Sequence, residues 1–348
     1  MTDMRAAIMT HPLLEPGAKP CLEVTTVKRP LIEDPHDVII KVIAAGLCQT
    51  DLHLIQGGAV DGVRPTRGMA LGHETAGQVM EVGSDVTQVE PGDFVLCYPF
   101  LPIEDQPTPT NKPPSSGRDR RTPGISQNGG FAEFMRTDDR SLVRVADAQE
   151  CRELVALTDA GLAAYKAVVR ASLHLTPGGG TAVIGLGGLG HLAIQMGRSM
   201  GMSPLWGVDP RPDAFKLAKQ QGFRDVFVSG EELREFLQRT RLSCDVVIDF
   251  VGANDTAQLA LDILAYGGLY ECVGVAGSIT VTTQQLVERD ITLQGSLVGS
   301  FEDLVNVIAL FQSSDCVVTT KEFALEDINS ALQALHEGKT FGRIILIP

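Results

Sequence analysis

The glycine-rich run Gly185-Leu186-Gly187-Gly188-Leu189-Gly190 constrains the fold of this 348-residue chain more than any other segment. It follows the apolar residues 181–184 and precedes a helix-like segment at residues 191–200. A second apolar stretch, residues 205–208, ends at Asp209. A strand, a glycine turn, a helix, a second strand and a terminal carboxylate form the first half of a dinucleotide-binding fold.

Each part of this unit has a physical role in holding a dinucleotide. Gly185 allows a tight turn, Gly187 lets the backbone approach a pyrophosphate, and Gly190 lets the helix pack on the strand. The N–H groups at the helix N-terminus favour phosphate. Asp209 can accept hydrogen bonds from the ribose hydroxyls and would repel a 2′-phosphate, which favours NAD over NADP. Arg211 keeps NADP as an alternative, because its guanidinium could pair with that phosphate. Cofactor contacts are predicted along the run, at Gly185, Gly187, Gly188, Leu189 and Gly190.

Charge and cysteine usage exclude several classes of protein. The net charge is −14, from 29 basic and 43 acidic residues, which argues against a broad nucleic-acid or anionic-membrane surface. No apolar run reaches the roughly 18 residues of a membrane span. The seven cysteines are odd in number and form no CxxC pair, and the N-terminus lacks a signal-peptide core. We therefore expect reduced thiols in a cytoplasmic protein with no nucleic-acid or membrane partner.

The rest of the chain divides by composition. Residues 1–98 have β-rich composition, and residues 99–130 form a proline-rich lobe with a basic cluster. A helical segment is predicted over about 150–171. Strands and helices then alternate from 181 to about 297, which predicts an α/β fold with a parallel sheet.

Four side chains suggest a metal site. Cys48, His73, Glu74 and Asp159 offer the thiolate, imidazole and carboxylate donors that zinc prefers. Their spacing alone does not predict a common site, because 25 positions separate Cys48 from His73 and 86 more lead to Asp159. Each also has an ordinary interpretation, as a buried thiol, a hydrogen-bonded histidine or a helix-capping aspartate.

Several motifs, in this order along nearly the whole chain, resemble those of the zinc-dependent alcohol dehydrogenases of the medium-chain dehydrogenase/reductase superfamily. The matching segments, besides the glycine run, are Gly46-Leu47-Cys48-Gln49-Thr50-Asp51-Leu52-His53, Gly72-His73-Glu74-Thr75-Ala76-Gly77, Pro91-Gly92-Asp93, Gly129-Gly130-Phe131-Ala132-Glu133-Phe134, Asp249-Phe250-Val251-Gly252 and Gly338-Lys339-Thr340-Phe341-Gly342-Arg343.

The resemblance implies a GroES-like β-rich catalytic domain at 1–160 and 300–348, and a Rossmann doubly wound parallel-sheet domain at 161–299. It implies one catalytic Zn²⁺ held by Cys48, His73 and Asp159, with Glu74 approaching the metal during ligand exchange. The activity implied is hydride transfer between an alcohol or carbonyl substrate and a nicotinamide cofactor.

The same resemblance assigns a proton relay and further cofactor contacts. Thr50 resembles the family's hydroxyl relay, and His53 the outer proton-exchanging group. Arg343 matches the arginine that contacts the pyrophosphate, and Val251, Val273 and Val275 are expected to line the cofactor. For Thr50 and His53 the alternatives are a backbone-bonded hydroxyl and a surface histidine.

One departure from the family pattern concerns the lobe at 99–130, which contains none of the four cysteines that hold a structural zinc in many members. We therefore expect no structural zinc, although a homodimer or homotetramer is still expected. Two other functions stay open at this point. One is a biosynthetic ketone, iminium or alkene reductase on the same scaffold, possibly zinc-independent, and the other is a non-catalytic nucleotide-binding or scaffold protein.

Overall fold

The computed structural model describes residues 3–10, 22–60, 62–102 and 121–348. The chain divides into two compact units. The first contains Met1–Ala160, Ser300–Ile308 and Val318–Pro348, and the second contains Gly161–Gly299 and Ala309–Val317. The boundaries predicted from the sequence differ from this division only in the segment Ala309–Val317.

Fifteen strands and ten α-helices make up the described part of the chain. The strands are β1 (Asp3–Ile8), β2 (Glu23–Lys28), β3 (Asp37–Leu47), β4 (Glu74–Val82), β5 (Phe94–Cys97), β6 (Phe134–Asp138), β7 (Leu142–Val145), β8 (Gly180–Ile184), β9 (Leu205–Val208), β10 (Val226–Phe227), β11 (Cys244–Asp249), β12 (Leu264–Cys272), β13 (Thr292–Gly295), β14 (Thr320–Ala324) and β15 (Arg343–Ile347). The helices are α1 (Gln49–Ile55), α2 (Ala148–Leu154), α3 (Ala160–His174), α4 (Gly190–Ser199), α5 (Pro212–Gln220), α6 (Gly230–Thr240), α7 (Asn254–Ile263), α8 (Thr283–Arg289), α9 (Phe301–Ser313) and α10 (Ile328–His336).

A seven-stranded sheet organises the first unit. Its order is β14-β15-β3-β4-β5-β7, with β6 also paired to β3, and every pairing except that of β14 with β15 is antiparallel. The central strand β3 is almost wholly buried, because its β-branched and small residues fit a pleated surface packed on both faces. The core includes Val38, Ile40, Leu47, Val79 and Phe131.

A six-stranded, all-parallel sheet organises the second unit, in the order β10-β9-β8-β11-β12-β13. The predicted α/β fold with a parallel sheet is therefore confirmed. The chain runs outward from β8 through β9 to β10 and then returns to β11 on the other side of β8. This reversal places the end of β8, where the glycine run begins, at the topological switch point, where open α/β sheets bind ligands.

The predicted helix over 150–171 differs in detail from the structure. Helix α2 passes into a short 3-10 turn, Val155–Thr158, and α3 begins only after Asp159. The Thr158 hydroxyl donates to the Val155 carbonyl, and Asp159 leaves helical geometry at φ −134° and ψ −63°. A carboxylate from β4, Glu74, accepts the N–H of Ala160 at 3.1 Å. Alanine- and leucine-rich composition does not reveal this break, since a distant side chain stabilises it.

Candidate metal and cofactor sites

Three side chains from distant positions converge in the first unit. Ligand atoms of Cys48, His73 and Asp159 all lie within 4.8 Å of one another. Because Gly46 on β3 pairs with Glu74 on β4, Cys48 just past β3 and His73 just before β4 lie at the same edge of the sheet. The break before α3 places Asp159 beside them.

The donor set fits a zinc ion. The Cys48 sulfur lies 3.7 Å from Asp159 Oδ2, and His73 Nε2 lies 3.6 Å from the same oxygen. Burial raises the pKa of Asp159, but the hydrogen bond and charge of His73, with the charge of Arg343, outweigh it and lower that pKa to about 2. A thiol, an imidazole and an ionised carboxylate in contact match the three protein ligands of a catalytic zinc.

Asp51, which we did not predict as a site residue, orients two of these groups. Its carboxylate is fully buried; Oδ2 accepts the Cys48 N–H at 2.9 Å, and Oδ1 lies 3.3 Å from His73 Nδ1. A carboxylate beside Nδ1 favours the tautomer protonated there and leaves Nε2 free to bind a metal. Burial lowers the pKa of His73, but Asp51 and Asp159 together hold it well above its usual value. The available signal was the position of Asp51, three residues after Cys48 in a matching motif.

Glu74 and Arg343 form a buried ion pair next to the three donors. Arg343 Nε donates to Glu74 Oε2 at 2.9 Å, and Nη2 contacts the other carboxylate oxygen. Burial raises the pKa of Glu74 to about 7, although Arg343 lowers it. The Glu74 carboxylate is not part of the three-donor group, so its approach to a metal stays a prediction. The predicted contact of Arg343 with a pyrophosphate also stays a prediction.

The backbone of Gly72, the residue before His73, is packed closely against other glycine backbones. Gly72 has φ +94°, and a Cβ there would meet the Phe131 ring at 2.5 Å. A Cβ on Gly124 would meet the Gly72 carbonyl carbon at 2.4 Å, and one on Gly129 its oxygen at 2.3 Å. Only glycine permits this close approach, which fixes the backbone that carries the imidazole.

The two predicted relay residues lie on α1, just after Cys48. Thr50 is half-buried and His53 is exposed. The His53 ring packs over Gly58, where a Cβ would meet Nε2 at 2.2 Å, and Nε2 lies 3.3 Å from the Ala59 carbonyl oxygen. No described contact joins either side chain to the three donors, and their relay role stays a prediction.

Residues after β5 lie at the same edge of the sheet as His73. Cys97, the last residue of β5, pairs with Thr75, so the chain that follows passes the His73 end of β4. The buried Tyr98 ring meets Phe100 edge-on at 5.4 Å and Phe301 at 5.7 Å between ring centroids. These rings form an apolar cluster beside this edge.

In the second unit, the glycine turn has the geometry that its sequence predicts. Gly185 has φ +84°, and a Cβ on Gly190 would lie 1.9 Å from the Gly185 carbonyl oxygen. Gly187, Gly188 and Leu189 are half-buried, and Gly190 begins the ten-residue helix α4. The strained φ and the close helix contact both require glycine, as predicted.

Asp209 lies against this turn but is already paired with Arg211. Its Oδ2 accepts the Leu186 N–H at 2.8 Å, and the Arg211 guanidinium donates to both carboxylate oxygens at 2.9 and 2.7 Å. A Cβ on Gly187 would lie 3.2 Å from Arg211 Nη2, so the guanidinium lies over the turn. Burial raises the pKa of Asp209, but the bonds from Arg211 and Leu186 lower it overall. Ribose hydroxyls would compete with Arg211 for this carboxylate.

The three predicted valine contacts follow neighbouring strands of the parallel sheet. Val251 comes two residues after β11, and Val273 and Val275 follow β12. Val273 is half-buried, whereas Val251 is 37% and Val275 95% exposed. All three lie at the carboxyl edge of the sheet, and cofactor contact stays a prediction for each.

Most of the proline-rich lobe, residues 103–120, lies outside the described residues. Its described base is closed by hydrogen bonds: the Leu101 N–H donates to the Arg121 carbonyl at 2.9 Å, and the Arg121 guanidinium donates to the Pro102 carbonyl at 2.8 Å. Cys97, just before the lobe, is a buried free thiol. Within the described ranges, Cys48, His73 and Asp159 are the one group of three such donors close enough to hold a metal. None of the helices in these ranges is both long and apolar enough to cross a bilayer.

Comparison with known proteins matches both units to family models. Residues 34–147 match the alcohol dehydrogenase GroES-like domain, and residues 188–313 match the zinc-binding dehydrogenase model. An NAD-dependent alcohol dehydrogenase of Sulfurisphaera tokodaii is 30% identical, with 97% of this chain and 99% of that protein aligned. One from Sulfolobus acidocaldarius is 32% identical over 89% of this chain and 91% of its own length. The crystal structure of an alcohol dehydrogenase from Aeropyrum pernix has 31% identity and a TM-score of 0.88, with 99% of this chain and all of that chain covered. This chain therefore belongs to the zinc-binding alcohol dehydrogenase family of the medium-chain dehydrogenases/reductases.

Proposed function

We propose that this protein is a zinc-dependent oxidoreductase that transfers a hydride between an alcohol or carbonyl substrate and NAD. The convergence of Cys48, His73 and Asp159 within 4.8 Å carries this proposal, because a non-catalytic nucleotide-binding protein has no need of it. The names of the archaeal relatives support alcohol as the substrate class and NAD as the cofactor.

The chain's own residues would hold and tune the site. Zinc bound there would supply Lewis-acid polarisation of the substrate oxygen, and NAD would accept or donate the hydride. Asp159 stays ionised at neutral pH because its pKa is about 2. The raised pKa of His73 means that its ring must lose a proton before Nε2 can bind a metal, so metal uptake is coupled to pH. The Glu74–Arg343 pair would keep two charges balanced beside the site.

The remaining roles rest on position within the motifs. We assign Thr50 to the hydroxyl that first receives the substrate proton and His53, exposed to solvent, to the group that exchanges it with water. In the second unit, the glycine run and Asp209 would bind the dinucleotide. The aromatic cluster at Tyr98, Phe100 and Phe301 supports a substrate with an apolar side.

Three further assignments accompany this function. The absence of cysteine from residues 99–130 supports a protein with one catalytic zinc and no structural zinc. Among the described strands, the edge strand β13 pairs only with β12, and with the exposed Val275 and Val287 it supports a homodimer or homotetramer. The free thiols of the described residues are consistent with a cytoplasmic location.

Metal analysis of purified protein, combined with a panel of alcohols and NAD⁺, tests the proposal. We expect about one zinc per chain and alcohol-dependent NADH formation. Cys48→Ser should remove zinc and turnover while leaving NADH binding within about twofold. Cys97→Ser is the matched control, since it alters another buried thiol of the first unit. Turnover without zinc would instead indicate the zinc-independent reductase, and no turnover or NADH binding by zinc-loaded wild type would refute the dehydrogenase.

A further inference from the structure

One buried carboxylate in the second unit is not accounted for by the cofactor contacts proposed above. Asp249, the last residue of β11, is fully buried. Among the described residues, no lysine, arginine or histidine nitrogen lies within 4.0 Å of its carboxylate oxygens. A charge in this position needs other stabilisation, which hydrogen-bond donors must supply.

Hydrogen bonds from one turn and two secondary-structure elements converge on the Asp249 carboxylate. Its Oδ1 accepts the N–H groups of Val251 and Gly252 at 2.8 and 2.9 Å. Its Oδ2 accepts the hydroxyls of Thr256 on α7 and Tyr270 on β12 at 2.7 and 2.9 Å. These four donors use the acceptor capacity of an ionised carboxylate fully.

The main chain of Asp249 binds the second turn. Its carbonyl oxygen accepts the N–H groups of Val273 and Gly274 at 2.9 and 3.0 Å. The turn after β11 and the turn after β12 are thus attached to the same residue, one through its side chain and the other through its backbone.

The two turns also interlock through their glycines. A Cβ on Gly252 would lie 2.1 Å from the Gly274 carbonyl oxygen, and a Cβ on Gly274 would lie 2.2 Å from the Val251 carbonyl carbon. The Ala276 N–H donates to the Val251 carbonyl oxygen at 3.3 Å. With no side chain between them, the two backbones are in direct contact, so a displacement of one turn displaces the other.

We propose that Asp249 is a positioning residue for dinucleotide binding, which makes the turns at Val251–Gly252 and Val273–Val275 a single rigid element. The proposal rests on the proposed function, because these turns carry three of the predicted cofactor contacts. They lie at the carboxyl edge of the sheet, where open α/β folds bind nucleotides. Asp249 itself is buried beneath the turns and acts on the cofactor only through them.

Asp249→Asn is the informative substitution because it preserves shape. The amide oxygen can still accept the two N–H groups of Val251 and Gly252. The amide nitrogen then faces the hydroxyls of Thr256 and Tyr270, which must rotate, and the remaining bonds lose their charge-assisted strength. The turns should loosen without loss of the fold.

The same strand provides a matched control in Asp245. It is 6% exposed and accepts the Thr176 N–H and the hydroxyls of Thr176 and Ser243. It lies four residues before Asp249, roughly 13 Å away at the opposite edge of the sheet. Asp245→Asn therefore removes a similar buried, hydrogen-bonded charge far from the two turns.

The experiment measures the NADH dissociation constant by fluorescence titration of the whole protein, together with Tm, for wild type and both variants. We expect Asp249→Asn to raise the dissociation constant at least tenfold and Asp245→Asn to change it less than twofold, at comparable losses of Tm. Equal effects of the two variants, or an unchanged dissociation constant in Asp249→Asn, would overturn the proposal. A wild type that binds no NADH would instead refute the proposed function.

A milder variant covers the case in which Asp249→Asn does not fold. Tyr270→Phe removes one of the four donors and keeps the aromatic packing. The NADH dissociation constant should then rise about threefold, and a value equal to that of wild type would contradict the role of Asp249.

Discussion

Substitution of Asp51 by asparagine tests how the metal site is organised, because the side chain keeps its size and loses only its charge and one acceptor. Two groups face Asp51: the Cys48 backbone N–H, which donates a hydrogen bond at 2.9 Å, and the His73 ring, whose Nδ1 lies 3.3 Å from the other carboxylate oxygen. The two groups face different oxygens of the carboxylate, and an amide has a single oxygen, so the asparagine oxygen can face only one of them. If the amide NH₂ faces His73, it favours the tautomer with the proton on Nε2, which blocks the nitrogen that faces Cys48 and Asp159.

The size of the effect follows from the burial of these groups. Asp51 is fully buried and His73 is 5% exposed, so water cannot replace the lost acceptor. Leaving one buried donor unsatisfied costs about 1–3 kcal/mol. Loss of such supporting hydrogen bonds typically weakens metal binding roughly 10- to 100-fold. We therefore expect the zinc dissociation constant to rise by about that factor.

Competition with a chromophoric chelator measures the dissociation constant, and Co²⁺ substitution reports the ligand geometry through its visible absorption. Asp139→Asn is the matched control, since Asp139 is also buried and lies 3.0 Å from a histidine nitrogen, Nδ1 of His36, outside the metal group. The reasoning is refuted if Asp51→Asn binds zinc within twofold of wild type, or if Asp139→Asn weakens binding equally.

Three further perturbations have defined outcomes. Asp209→Gly should raise the NAD dissociation constant about 10- to 100-fold through lost charge-assisted bonds and lower that of NADP; an unchanged NAD/NADP ratio in titrations would contradict the ribose assignment. Arg343→Gln leaves the buried Glu74 without its partner and should lower the free energy of unfolding by about 3 kcal/mol in urea, whereas the exposed Arg144→Gln should change it by under about 0.5 kcal/mol. Because the pKa of Asp159 is lowered to about 2 in the folded state, its contribution to the stability of the metal-free protein, about 2 kcal/mol, is present above about pH 4 and lost as the pH falls toward 2. The free energy of unfolding of Asp159→Asn, measured over the same pH range, should not show this loss. A pH dependence parallel to that of wild type would exclude a stabilising role of the ionised Asp159 carboxylate.

Local patterns predicted the cofactor unit well, because its determinants are close together in the chain. Gly185 needs a positive φ, and Gly190 must approach the Gly185 carbonyl within five residues, so both constraints appear as sequence spacing. The end of β9 just before Asp209 was similarly visible. The pairing of Asp209 with Arg211 was not, because two residues of opposite charge at this spacing can equally face a ligand or each other.

The spacing of the metal-ligand candidates did not show that they bind one ion. Only the motif resemblance predicted that they form a single site. Cys48, His73 and Asp159 come together because antiparallel pairing of β3 with β4 and a break before α3 bring their positions to one edge. Asp51 was missed as a positioning residue: its place three residues after Cys48 in the motif was a signal, but the spacing does not show that its carboxylate lies beside a histidine 22 positions later.

The sequence by itself determined the strand–turn–helix unit, the alternation that forms the parallel sheet, and the chemical types of the candidate ligands. Tertiary structure alone decided how the buried charges are stabilised: Glu74 by Arg343, 269 residues away, and Asp249 by four neutral hydrogen-bond donors. Steric requirements of glycine and apolar periodicity act over a few residues, so both can be recognised in a short stretch of sequence. Burial of a charge depends on every element packed around it, so its partners are known only once the chain has folded.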